Sequence, residues 1–204
     1  SEEGALLQLK NLPKTEENGL TNATKGLMMP RVLLTKKYEL MPMFSDNQGD
    51  YNNDKANIDS EHTGLLVYNT QANTSELICK GMNVWNGREW QCLSQPSYTI
   101  DCNSVKIQGV GKKDQPLDPA KHYIELDINV DDSSVGLLYK ITTNTVDGIS
   151  FSASGILDAA GTKTIILKGK GTPRSYDTKY LTITTNSTSS DATCGAEFFM
   201  VLPM

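Results

Sequence analysis

The sequence predicts an all-β protein, with a small β-rich N-terminal module at residues 1–95 and a seven-stranded immunoglobulin-like β-sandwich at residues 96–204. Thr, Ser, Asn and Gly are abundant, and long runs of Ala, Glu, Lys and Leu at helical spacing are missing, which is typical of strands and turns. After Pro96, short runs with period-2 alternation recur between turn residues. The four cysteines are even in number, which favours disulfides.

The N-terminal module contains several apolar runs of strand length. Four of them predict strands: residues 4–10, 26–35, 64–70 and 82–93. Pro30 makes the second an edge or interrupted strand, because proline cannot donate to a sheet ladder. The last run is a predicted hairpin, with Asn86 and Gly87 as a two-residue turn.

Residues 42–61 are rich in Asp and Asn and predict a long surface insertion with little packing of its own. Asp46, Asp50 and Asp54 offer carboxylates to a calcium ion, but they miss the register of a calcium-binding loop. Acidic polar segments are usually stable in water without a ligand. A mobile acidic loop is therefore favoured over a calcium site, and no other cofactor is expected.

The second half alternates apolar and polar residues, as in Ile124, Leu126 and Ile128 against Glu125 and Asp127. Its predicted strands are residues 98–107, 122–130, 136–143, 148–154, 163–169, 179–185 and 196–202. Seven short strands at this spacing are typical of an immunoglobulin-type sandwich.

The four cysteines lie in none of the short-spaced pairs that a zinc site needs. Disulfides and an oxidising compartment are therefore favoured. The sequence leaves three pairings open, but chain proximity favours Cys79 with Cys92, leaving Cys102 for Cys194. The second bridge would join the first strand of the sandwich to its last.

Composition and motifs argue against several classes of function. A formal charge of -5, from 19 basic and 24 acidic residues, disfavours nucleic acid as a partner. No apolar run approaches the roughly 20 residues of a membrane-spanning helix. His62 and His122 are the only histidines, and neither lies in a motif that joins a nucleophile to a base. No catalytic residue is predicted, and the protein is not expected to be an enzyme.

The aromatic hairpin is the candidate ligand site. Trp85 and Trp90, with Tyr68, could stack on a sugar ring, and a two-residue turn would place Arg88 opposite Trp85 and against both indoles. A two-stranded hairpin is only marginally stable by itself. The aromatic rings are therefore expected to cover a small core or an interface rather than to bind carbohydrate.

Two parts of the chain resemble known families. Four sequence elements follow one another in a set order. They are residues 4–10, then Lys25, Gly26, Pro30 and Arg31, then residues 64–70, and finally Trp85, Gly87 and Trp90. This series resembles a module of surface-exposed proteins of Gram-negative anaerobic bacteria and of phage tail-fibre proteins. The departures are the long insertion and Asn83, which replaces a tyrosine. Residues 148–152 and 161–173 resemble bacterial immunoglobulin-like repeats of adhesins.

The resemblance implies intertwined trimers without catalytic residues. We expect a non-enzymatic structural or adhesion protein, secreted or anchored at the outer-membrane surface, and part of a longer chain. Expected partners are other protein subunits, including copies of itself in a trimer, or a host or polysaccharide ligand. The alternatives are a carbohydrate-binding module that uses Trp85 and Trp90, and an accessory region of a larger hydrolase.

Overall fold

The structure is a computed structural model that describes residues 28–189 and 193–202. From Arg31 onward the chain forms one compact unit. The strand predicted at residues 4–10, and the motif residues Lys25 and Gly26, lie outside the described residues. The domain boundary predicted near residue 95 stays a prediction.

The first sheet is built from the apolar runs on either side of the insertion. Its strands are β1 (Arg31–Val32), β2 (Leu66–Asn69), β3 (Gly81–Trp85) and β4 (Trp90–Cys92), in the order β1-β2-β3-β4. β1 pairs parallel to β2, and the other pairs are antiparallel. β1 begins directly after Pro30 and lies at the sheet edge, as predicted from the missing N–H of proline.

The prediction of a packing-poor loop at residues 42–61 was wrong. A 3-10 turn at Ser45–Asn47 leads into α1 (Gln48–Asn53) and α2 (Lys55–Glu61). Tyr51 is fully buried, and its ring stacks on Phe44 with the centroids 5.3 Å apart. Met43, Phe44, Tyr51 and Ile58 belong to the first core or pack against it. The many Asp and Asn residues between them hide this pattern in the sequence.

The second sheet contains every strand predicted after Pro96. Its strands are β5 (Tyr98–Gln108), β6 (Tyr123–Val130), β7 (Leu138–Thr143), β8 (Ile149–Ile156), β9 (Gly161–Gly171), β10 (Lys179–Thr185) and β11 (Cys194–Phe198). All neighbours pair antiparallel, in the order β11-β10-β7-β8-β9-β6-β5.

The arrangement of these strands differs from a two-layer sandwich. The groups β5-β6-β9-β8 and β7-β10-β11 follow the strand orders of the two sheets in a constant-type immunoglobulin domain. However, β7 pairs with β8 in an antiparallel ladder that runs from the Leu138–Ile156 pair to the Thr142–Ser152 pair. This pairing joins the two groups into one continuous sheet.

The continuous sheet curls into a near-barrel, because its edge strands β5 and β11 approach each other. The Cys102–Cys194 disulfide joins them, with the Cα atoms 5.2 Å apart. A parallel bridge between Gly111 and Met200 continues the contact beyond the strands. Cys102 lies in a β-bulge of β5. Asp101 pairs with Asp127 and Lys106 pairs with Glu125, so an advance of five residues along β5 matches an advance of only two along β6.

Each sheet has its own hydrophobic core. The first core is formed by Leu34, Leu40, Met41, Tyr51, Val67, Ile78, Trp85 and Trp90. The second fills the near-barrel with alternate residues of its strands, such as Ile124, Leu126 and Ile128 of β6. This matches the period-2 alternation in the sequence.

Candidate functional site

The aromatic hairpin is part of the core. Trp85 and Trp90 are 0% and 2% exposed, and their ring centroids are 5.4 Å apart. They are direct partners across β3 and β4, so residues 86–89 form a four-residue loop. The predicted two-residue turn was therefore wrong. The Asn86 side chain explains the longer loop, because its Oδ1 accepts the N–H groups of both Arg88 and Glu89 at 2.9 Å.

Both indole N–H groups donate hydrogen bonds to backbone carbonyl oxygens within the protein. Trp85 donates to the carbonyl oxygen of Asp59 at 2.8 Å, and Trp90 donates to that of Glu39 at 3.0 Å. With their faces buried and their polar edges bonded, the two rings cannot serve as a sugar platform. The predicted core role of these rings is the one observed.

The other two residues of the predicted ligand site lie apart from the indoles. Arg88 is exposed at the hairpin tip and does not stack on them. The guanidinium that stacks on Tyr68 is that of Arg31, 4.7 Å from the ring centroid. Tyr68 lines a cleft of about 870 Å³ between the two sheets, with Lys80 and Met82 on its side and Ser134 and Leu157 opposite.

A buried polar cluster around Asp59 joins the insertion to the first sheet. Tyr51 donates its hydroxyl to Asp59 Oδ1 at 2.7 Å and accepts the N–H of Leu40 at 3.1 Å. Lys55 forms an ion pair with the same carboxylate. Burial raises the pKa of the Tyr51 hydroxyl above its ordinary value, so it stays protonated as a donor. Sequence reasoning missed this cluster, although the spacing of Lys55 and Asp59 on a helix was a usable signal.

The three aspartates of the calcium hypothesis occupy different parts of the helical segment. Asp46 lies in the 3-10 turn, Asp50 lies in α1, and Asp54 joins α1 to α2 and accepts a hydrogen bond from the Asn57 side chain at 2.7 Å. Among the described residues, no three His, Cys, Asp or Glu side chains are grouped to hold a metal ion. The calcium site at these three aspartates stays a prediction.

The disulfides follow the pairing that chain proximity favours, Cys79 with Cys92 and Cys102 with Cys194. Two buried asparagines surround the first bridge. Asn83 donates to the carbonyl oxygens of Cys79 and Gly81 at 3.1 and 3.0 Å, and Asn69 donates to that of Cys79 at 2.9 Å. Asn83, the departure from the tail-fibre pattern, therefore satisfies buried backbone carbonyls beside this bridge.

The histidines bond to backbone groups. Nδ1 of His62 lies 2.8 Å from the carbonyl oxygen of Ile58. Nδ1 of His122 accepts the N–H of Asp118 at 2.8 Å, and its Nε2 lies 3.2 Å from the carbonyl oxygen of Val110. Both rings thus bond to nearby backbone groups of the fold.

A buried ion pair lies at one end of the near-barrel. Lys179 is 2% exposed, and its Nζ lies 2.6 Å from Oδ2 of Asp147. The Asp147 carboxylate also accepts the N–H groups of Arg174 and Ser175 at 2.9 Å. The hydrogen bond from Lys179, helped by those N–H groups, holds the pKa of Asp147 well below its ordinary range.

The fold thus consists of an aromatic-cored sheet with a helical insertion, followed by a near-barrel that begins with β5. Residues 2–108 match the family described as phage tail like trimerisation region. The chain belongs to this family. The matched region contains the whole first sheet and all of β5. No curated protein and no solved structure matches the chain. In the part of the chain that the structure describes, no helix is long and apolar enough to cross a membrane.

Proposed function

We propose that this protein is a non-enzymatic structural subunit that assembles as a homotrimer in a tail-like fibre or surface appendage and needs no cofactor. The observation that carries the proposal is the family match over residues 2–108. The side-chain chemistry agrees with it, because the buried ionisable groups Asp59 and Lys179 are both committed to ion pairs within the fold.

The proposed location is outside the cell, secreted or anchored at the outer surface. The two disulfides support this, since such bonds form and persist in oxidising compartments. A fibre that works outside the cell also gains from covalent links that survive local opening.

We further infer that the near-barrel is a variant of an immunoglobulin-like domain and acts as a spacer or as a display surface for adhesion. Its strand order supports this inference. Closure by Cys102–Cys194 and by the Gly111–Met200 bridge suits a spacer, because it leaves few free sheet edges for unwanted pairing.

The deciding experiment is light scattering coupled to size exclusion, without reductant and over a range of protein concentrations. The expected mass is three times the 22.4 kDa of the chain. The same sample in denaturant without reductant is the control and is expected at the mass of one chain, because both disulfides are within the chain. A monomer in native buffer at every concentration would contradict the proposal.

A further inference from the structure

An exposed apolar patch lies where the near-barrel closes. It consists of Val110, Tyr180, Phe199 and Val201, which are 49%, 68%, 55% and 43% exposed. We call these four residues the closure patch. Single exposed apolar residues are common on protein surfaces, whereas contiguous groups mark contact sites.

The strand register places these side chains on one face. Tyr180 pairs with Glu197, so Phe199, two residues further along the neighbouring strand, is its diagonal neighbour on the outer face. Met200 between Phe199 and Val201 is buried, so the two flanking side chains point outward.

Val110 joins the same face through the Gly111–Met200 bridge. A Cβ on Gly111 would point inward, 2.6 Å from Sδ of Met200, so the preceding Val110 points outward. The N–H of Gly111 donates to the carbonyl oxygen of Phe199 at 2.9 Å, which brings Val110 beside that residue. The closure patch is therefore contiguous from β10 across β11 to residue 110.

The rest of the outer face is mostly polar. Outward positions of β9 are Thr162, Thr164, Ile166, Lys168 and Lys170, in which Ile166 is the single apolar residue. Outward positions of β10 after Tyr180 are Thr182 and Thr184. The apolar residues are thus concentrated where β10, β11 and residue 110 meet.

The closure patch also carries one charge of each sign. Glu197 lies between Tyr180 and Phe199 on the outer face, and Lys112 follows Gly111 at the bridge. Within the described residues neither forms an ion pair, whereas other exposed residues, such as Lys121 with Asp118, do. Two copies of this surface could therefore pair Glu197 of one with Lys112 of the other.

The patch is continuous with the trimerisation region. The family match ends at Gln108, the last residue of β5, and Val110 follows two residues later. β5 is the strand that closes against β11. Three chains held together through residues 2–108 would bring this corner of each near-barrel close to the others, at high effective concentration.

We propose that the closure patch contacts a second copy of this chain and extends the trimer contact from the matched region onto the near-barrel. The proposal rests on the proposed homotrimer. It commits to a protein surface as the occupant, because the patch combines aromatic and aliphatic side chains with a charge of each sign.

The test places the photo-crosslinking residue p-benzoylphenylalanine at position 180 of the full chain, and at position 166 in a matched control. Ile166 is 48% exposed on β9, away from the patch. After illumination of purified protein, reducing denaturing gels are expected to show covalent dimers and trimers for position 180 and single chains for position 166.

Light scattering on the same two samples separates this proposal from the proposed function. A trimer that crosslinks from position 180 supports both. A trimer that gives no crosslink from position 180, or equal crosslinking from both positions, overturns the closure-patch contact and leaves the trimer standing. A monomer overturns both.

A second pair of variants checks the contact without a probe. Tyr180→Asp with Phe199→Asp puts like charges together in neighbouring copies, and Ile166→Asp is the control. Because all three side chains are exposed, the fold of the single chain is expected to survive. The trimer of the double variant is expected to dissociate into single chains at a protein concentration at least tenfold higher than that at which the trimer of the control dissociates. Equal dissociation of the two variants would overturn the contact.

Discussion

At the scale of single residues, the polar groups that matter most are the buried ones. Asp59 is 6% exposed, and it accepts bonds from Tyr51 and Lys55 through its carboxylate and from Trp85 through its backbone. The Asp59 carboxylate thus links α1 to α2 within the insertion, and its backbone carbonyl connects the insertion to the aromatic core. Leaving its partners without an acceptor costs more than the hydrogen bonds alone.

We predict that Asp59→Ala lowers the free energy of unfolding of the first sheet by about 2–3 kcal/mol, because Tyr51 would lose its acceptor and Lys55 its ion-pair partner. The loss of stability is expected to be smaller than for a fully buried ion pair, because the Lys55 side chain is 38% exposed. Urea unfolding followed by tryptophan fluorescence measures it. The control Asp46→Ala removes an exposed carboxylate and is expected to change stability by about 0.5 kcal/mol or less.

The two tryptophans provide a direct check on the aromatic core. Because both rings are buried, iodide is expected to quench native tryptophan emission weakly and unfolded emission strongly. Polysaccharides are expected to leave the emission unchanged. Strong quenching in the native state, or a saturable change in emission with a glycan, would contradict the core assignment and support carbohydrate binding by the hairpin.

The Asp147–Lys179 pair predicts an acid dependence of stability. The pKa of Asp147 is lowered by folding, so its contribution is present above the ordinary value of 3.8 and is lost as pH falls toward the folded value. The difference in unfolding free energy between wild type and Asp147→Asn is therefore expected to be large at pH 7 and to shrink below about pH 4. Denaturant unfolding across this range measures it, and a constant difference would contradict the assignment.

At the scale of elements, each sheet has its own covalent link. The Cys79–Cys92 bridge closes a short segment at the aromatic hairpin, with a sequence separation of 13, whereas Cys102–Cys194 spans 92 and closes the near-barrel. On the chain-entropy model the first is worth about 3 kcal/mol and the second between about 4 and 5 kcal/mol. The two bridges therefore act on different elements.

We predict that Cys79→Ser with Cys92→Ser loosens the first sheet and leaves the near-barrel protected, because the bridge lies within one core only. Hydrogen exchange of peptides from β3 and β4, against peptides from β6 and β9, measures the difference. The reciprocal variant, Cys102→Ser with Cys194→Ser, is expected to expose β5 and β11 first. Equal loss of protection in both sheets would show that they unfold as one unit.

At the scale of the whole molecule, the family match points to an assembly of three copies of one chain. Association makes stability depend on concentration, since only the folded state assembles. The temperature of unfolding is therefore expected to rise with protein concentration, in calorimetry at a fixed scan rate. A temperature that is independent of concentration would indicate that a single chain unfolds alone.

The local pattern of the sequence was sufficient for most elements. Turn residues and period-2 alternation identified the strands of the second sheet, because strands such as β6, β10 and β11 bury alternate residues and leave the others more exposed. Chain proximity favoured the observed disulfide pairing. Asn86 and Gly87 located the hairpin, but the loop length depended on the Asn86 side chain, which binds two further N–H groups.

The insertion at residues 42–61 could not be predicted in the same way. Its helices are anchored by contacts outside the segment, where Tyr51 accepts the N–H of Leu40 and the Asp59 carbonyl accepts the indole N–H of Trp85, and the residue pattern of the segment does not encode those partners. The buried state of Trp85 and Trp90 has the same origin. Burial against another segment decides whether an aromatic hairpin is core or binding surface.

By itself, therefore, the sequence determined the β class, the strands of the second half, the favoured cysteine pairing and the tail-fibre resemblance, because each follows from neighbouring residues or their spacing. Only the tertiary structure decided that β7 pairs with β8, that the sheet closes through β5 and β11, and that the acidic insertion is helical. These features arise from contacts between residues distant in the chain, whose formation depends on packing and closure rather than on local propensity.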